Sequence, residues 1–199
     1  MTLASMRRWH SASGLFPLGA YLLFHAWEHW PVQSGRDALF ARLERSHSVG
    51  LEVVFVLLPL LLHAVLGLRL SRDPTGVAGY ASPSFRRLQV ATGMVAAAFI
   101  AFHTIATWLP RLREANPVGA AYGAMLDGTA TFPGVALHAL GIAAVCTHFG
   151  QGIGVALGRL FPARLAPRTS RQLGIAVGLL LWLVFLNELA SYATYAPLL

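Results

Sequence analysis

Residues 51–68 read LEVVFVLLPLLLHAVLGL. A helix crosses the hydrocarbon core of a bilayer with about 20 mostly apolar residues. This run is nearly that long, with one acid near its start, Glu52, and one histidine well inside, His63. Its leucines and valines follow one another without the apolar–polar alternation of a half-buried strand. In lipid the backbone must satisfy its own hydrogen bonds, so the stretch reads as a transmembrane helix carrying an ionisable side chain at depth.

Working outward, four more stretches of this kind appear. The spans are expected at 12–30, 47–68, 88–110, 132–158 and 172–192, in a single domain covering 1–199. The first holds two histidines and a glutamate and lacks a small-residue cleavage site, so it is not expected to be a signal peptide. Short loops make the fold class an all-α membrane protein: five transmembrane helices, four of them bundled and the fifth alongside. Composition agrees. Of 199 residues, 56% are hydrophobic and 12% charged, with a mean hydropathy of +0.59. Soluble domains carry about 25% charged residues. A soluble enzyme, a disordered chain and a disulfide scaffold are excluded, the last also because Cys146 is the one cysteine. The net charge of +7 does not indicate nucleic acid, because the 15 basic residues, all arginine, lie between apolar runs.

Arginine placement sets the orientation. With the N-terminus inside, ten arginines fall on the cytoplasmic side: Arg7, Arg8, Arg69, Arg72, Arg86, Arg87, Arg159, Arg164, Arg168 and Arg171. Five fall outside: Arg36, Arg42, Arg45, Arg111 and Arg113. The outer loops also hold Asp37, Glu44, Glu114 and Asp127, against Asp73 inside. The positive-inside rule therefore places the N-terminus in the cytoplasm and the C-terminus outside.

Five of the eight histidines lie at membrane depth or close to it: His25, His63, His103, His138 and His148. A single buried histidine is often just bonded to a carbonyl in a helix interface. One on each of four helices calls for a shared purpose. At 1.5 Å per residue, His25 and His103 stand about 20 and 22 Å above the inner ends of rising helices. On descending helices, His63 stands about 8 Å up and His148 about 15 Å, or about 9 Å if its helix ends near Gly154. Two storeys result, as two bis-histidine b-type haems require. Small residues 4, 7 or 11 positions away leave room on each face: Gly14 for His25, Gly67 for His63, Ala96 for His103, and Gly141 and Gly152 for His148. Close helix packing accounts for any one such glycine, but a small neighbour for all four histidines favours haem.

The remaining polar residues divide. His29 is a rival ligand one turn above His25, and His138 is too high to pair with His63. His10 and His47 sit at the interfaces, His10 as a candidate contact for haem propionates. Glu52 faces the bundle in its outer half and is the first choice for a quinone-linked proton site, with Glu28 and Glu188 as lesser candidates.

The motifs resemble a known family. RRWHSASGLFPLGAYLLFH, from Arg7 to His25, is similar to the RRxHSxxGxxPxGxxLxxH pattern of the five-helix, di-haem (type-B) cytochrome b subunit of succinate dehydrogenase and fumarate reductase. LEVVFVLLPLLLHAVLG, LQVATGMVAAAFIAFH and GIAAVCTHFGQGI resemble its next three segments, and APRTSRQ resembles its TPRSQR turn. The likeness covers nearly the whole chain, in order. It implies axial ligands at His63 and His148 (inner haem) and at His25 and His103 (outer haem). It also implies partners on the cytoplasmic face: a flavoprotein that oxidises succinate and an iron–sulfur subunit. Electrons would then reach a quinone, usually menaquinone, or run in reverse to fumarate. The chain itself would carry no dicarboxylate site. One departure stands out: where some members carry a glutamate two residues before the ligand of the fourth span, this chain has Cys146. The proton route through that glutamate is therefore not expected. The competing readings are the cytochrome b anchor of a hydrogenase or formate dehydrogenase and a His/Glu metal-ion transporter without haem. The transporter would want one midplane site rather than two levels.

Overall fold

The computed structural model describes residues 2–30, 39, 41–43, 52–73, 82–113, 116–161 and 163–195. Among these residues there are helices and turns and no strand. The chain begins with α1 (Leu3–Ser13), runs through a π turn (Gly14–Leu18) and continues as α2 (Gly19–His29). A second π turn (Val53–Leu57) leads into α3 (Leu58–Ser71). Then follow α4 (Pro83–Arg111), α5 (Pro117–Thr129), α6 (Phe132–Leu160) and α7 (Pro167–Tyr195). The expected start of the second span at His47 lies outside the described residues, as do Arg36, Asp37, Glu44, Arg45 and Glu114.

Prolines shape these helices. Pro17 lies inside the first π turn, and Pro59 follows the second by two residues. A proline has no N–H to give and its ring crowds the carbonyl four residues back, so the ladder widens locally to a π turn. Pro83, Pro117 and Pro133 stand in the first turns of their helices, where a missing N–H costs little, while Pro110 lies in the last turn of α4. Ser82, Asn116 and Thr131 cap such starts, accepting from the amides of Phe85, Gly119 and Gly134.

Among the described residues, four helices are long and apolar enough to cross a membrane: Val53–Ser71, Pro83–Arg111, Phe132–Arg159 and Pro167–Thr194. The N-terminal helical run is not among them, since Pro17, His25, Glu28 and His29 dilute its apolar stretch. It also begins nine residues before the expected boundary, and α7 begins five residues early. Charge marks where lipid ends, whereas the helix continues to its capping residue, here Thr2 for α1. The short loop expected between the third and fourth spans contains instead the helix α5, started by the Asn116–Pro117 pair. Large apolar side chains such as Phe16, Leu61, Ile105, Leu140 and Leu180 are exposed, as lipid-facing surfaces require.

α1 packs on α3, α4 on α6, and α6 on α7. The α6–α7 seam is a backbone-to-backbone contact. A side-chain carbon at Gly150 would come 2.6 Å from the Gly174 carbonyl oxygen, and one at Gly178 would come 2.8 Å from that of Cys146. Small residues at such crossings let helices approach where lipid supplies no hydrophobic drive. Cys146 is buried with Ala26, Leu181 and Phe185 where α2, α6 and α7 meet.

Candidate cofactor-binding cavity

One cavity of about 680 Å³ runs between the helices. Its lining includes His10, His25, His63, His103, His148 and Glu52, every site residue expected from the sequence, together with His29 and His138.

The rings meet in two places. His63 and His148 stand 6.0 Å apart, centre to centre, with planes at 87°. His25 and His103 stand 6.3 Å apart at 78°. In the first pair, Nδ1 of His63 lies 2.9 Å from the His10 carbonyl oxygen and 3.3 Å from Ser13 Oγ. Nδ1 of His148 lies 3.0 Å from the Gln89 carbonyl oxygen. A carbonyl only accepts, so each ring donates there through Nδ1–H and keeps the Nε2 lone pair. Metal-ligating histidines adopt this arrangement, the second nitrogen being fixed by a carbonyl. In the other pair, Nδ1 of both His25 and His103 is buried with no hydrogen-bond partner. Imidazole nitrogens left unspent in an apolar cavity are a donor set for a transition metal or haem iron.

Glycines give the rings of His63 and His148 their space. An added carbon at Gly14 would come 2.7 Å from His63, and one at Gly93 would come 2.7 Å from His148. Gly14 was expected to clear the face of His25; the structure seats it against His63 instead. The intervening π turn adds a residue to the turn, so the eleven-residue spacing no longer returns to the same face. Gly67 lies against His10, and Gly141 against the ring of Phe99. Gly152 has only Gln89 near it, at 3.9 Å. Gly93 went unnoticed in the sequence because its partner is on another helix.

His10 stacks on His63 at 3.9 Å and 22°. Nearby, Arg7 pairs with Asp73 at 3.2 Å, and Arg86 donates to the carbonyls of Ser71 and Asp73. At the His25 end, Glu52 is held by a fork. Arg111 Nη1 and Nη2 donate to its two carboxylate oxygens at 2.9 and 3.3 Å, and Trp108 Nε1 donates at 2.8 Å. Glu28 and Glu188, the lesser candidates for a proton site, are buried. His29 Nδ1 meets the Tyr192 hydroxyl at 2.8 Å. His138 Nδ1 lies 2.8 Å from the Gly134 carbonyl oxygen, and its ring stands 6.0 Å from that of His103. The ligand atoms of His25, Glu28 and His29 lie within 4.8 Å of one another.

Against known proteins, one likeness bears on this geometry. Over 154 residues the chain is 23% identical to the succinate dehydrogenase cytochrome b558 subunit of Bacillus subtilis (strain 168), covering 74% of this chain and 75% of that one. The chain resembles a membrane cytochrome b. No protein-family model matches it, and no solved structure matches it significantly. With four helices fit to cross a bilayer, the likeness makes the chain an integral membrane protein.

Proposed function

We propose that the chain is the membrane-anchoring cytochrome b subunit of a succinate:quinone oxidoreductase. In this reading residues 1–199 form one unit of five spans, the first four enclosing two b haems. The supporting observation is the two imidazole pairs in one cavity, at 6.3 and 6.0 Å. Each pair is a set of imidazole donors that would hold the iron of one b haem. His63 and His148 would hold the inner haem, and His25 and His103 the outer one. The printed name of the Bacillus subtilis relative points to the same cofactor.

Haem, when bound, supplies a one-electron carrier within the lipid. The residues of the chain do the rest. The carbonyls of His10 and Gln89 fix the inner rings, and apolar helix faces exclude water. His10, Arg7, Arg86 and Arg159 line the inner mouth, where they suit acidic propionates. Glu52, clasped by Arg111 and Trp108, ties α4 to the start of the second span. The arginine-rich cytoplasmic face receives the flavoprotein and iron–sulfur subunits, which carry the dicarboxylate chemistry. A quinone, menaquinone in the reading from resemblance, exchanges at the outer end.

The test is a dithionite-reduced minus oxidised spectrum of purified membranes, followed by identification of the subunits that co-purify. A b-type α-band with flavoprotein and iron–sulfur partners is expected. A nickel–iron or molybdenum partner would point to the hydrogenase or formate dehydrogenase anchor instead. The second reading, a His/Glu ion transporter, draws on the His25, Glu28 and His29 group. It requires that no haem band appear and that purified protein bind zinc.

A further inference from the structure

Helix α7 carries no histidine, yet it lines the cavity with Phe185, Glu188, Leu189 and Tyr192, a stripe at helical spacing. Glu188 is 4% exposed, and its Oε1 is buried without a hydrogen-bond partner. Ionisable groups inside a membrane are costly and mark paths for protons or ligands. One turn on, the Tyr192 hydroxyl is oriented by His29 at 2.8 Å. One turn back, Phe185 packs 6.2 Å from the ring of His25. An unspent carboxyl and an oriented phenol thus face the same cavity at the His25–His103 end. The other carboxylates there are engaged: Glu52 by Arg111 and Trp108, and Glu28 beside His25 at 3.8 Å.

We propose that Glu188 and Tyr192 form the headgroup site for a quinone at this end of the cavity, with Glu188 exchanging the protons. The proposal rests on the reading in the preceding subsection. Tyr192 donates a hydrogen bond to one quinone oxygen. Two electrons arrive from a reduced iron–sulfur partner. As each quinone oxygen gains its O–H bond, the Glu188 O–H bond breaks, and the carboxylate regains a proton from water. After two such transfers the quinone has become quinol; quinol oxidation runs the same steps backwards.

The experiment uses the purified complex with its haems and partners, and a short-chain menaquinone analogue as probe. Glu188→Gln is expected to keep both haem bands and to lower quinone turnover about a hundredfold or more, the scale of a lost proton-transfer group. Tyr192→Phe is expected to raise KM more than it lowers kcat. Redox-induced infrared difference spectra of the wild type should show a carboxyl band that is absent from Glu188→Gln. If that variant loses haem, Glu188→Asp decides the matter: a shifted band with reduced turnover supports the proposal, and an unchanged band overturns it. Wild-type turnover in a haem-replete Glu188→Gln complex, or no carboxyl band in the wild type, also overturns it. Failure of the wild-type complex to bind haem would instead defeat the underlying reading.

Discussion

His148 and Gln89 hold each other at two points. The His148 ring donates through Nδ1 to the Gln89 carbonyl at 3.0 Å, and the Gln89 side-chain amide donates to the His148 carbonyl at 3.1 Å. The arrangement locks an α6 ring to α4 and aims its other nitrogen into the cavity. Groups that orient a ligand in this way shape the metal's affinity and potential.

Gln89→Leu removes the amide bond and leaves the backbone one. A loss of about 1 kcal/mol in stability is expected, the usual worth of one hydrogen bond. In a redox titration the midpoint of the inner haem should move while that of the outer haem stays.

Gly14→Ala and Gly93→Ala each drive a carbon against an inner ring. Inner-haem occupancy is expected to fall in both while the outer haem stays bound. Gly123, with nothing within 4 Å, provides the control: Gly123→Ala should leave both haem bands unchanged.

Arg111 is 8% exposed and forks onto Glu52. Arg111→Ala removes the positive charge from beside the Glu52 carboxylate and is expected to cost about 3–5 kcal/mol, as the removal of one buried partner does. Arg111→Met combined with Glu52→Gln should cost less than Arg111→Ala alone. Thermal release of haem in detergent measures both.

His29 is bonded to Tyr192. If its role is to orient that hydroxyl, His29→Ala keeps both haems, whereas His25→Ala loses the outer one. The reverse result in pyridine haemochrome quantitation would exchange their assignments.

Gly174→Leu places a side chain against the backbone of α6 at Gly150 and Gly154. Overpacking typically costs about 1–3 kcal/mol. A lowered unfolding temperature with unchanged haem spectra is expected, because the seam lies on the far side of α6 from the paired rings.

The helical, membrane-fit architecture was legible in 51–68 and its counterparts, because apolar length and the absence of alternation leave a backbone in lipid few options. The histidines to examine were legible for the same reason: an ionisable group in an apolar run is costly enough to stand out. The helix α5 was missed because a reading by charge-free runs merged its apolar residues with the loop before the fourth span. The partner of Glu52 was missed because Arg111 counts in the sequence as an outer-loop arginine. Only across the bundle does it become a buried fork.

Sequence alone thus determined that this chain is built of apolar helices and which apolar runs carry an imidazole, since hydropathy is a local quantity. Tertiary structure decided which glycine clears which ring, which carbonyl fixes each Nδ1, and that Glu188 remains unspent while Glu52 is clasped. Those outcomes depend on helix rotation, and the π turns at Pro17 and Pro59 shift that rotation by part of a turn. A count of residues along one helix does not reveal this, because the atoms involved belong to its neighbours.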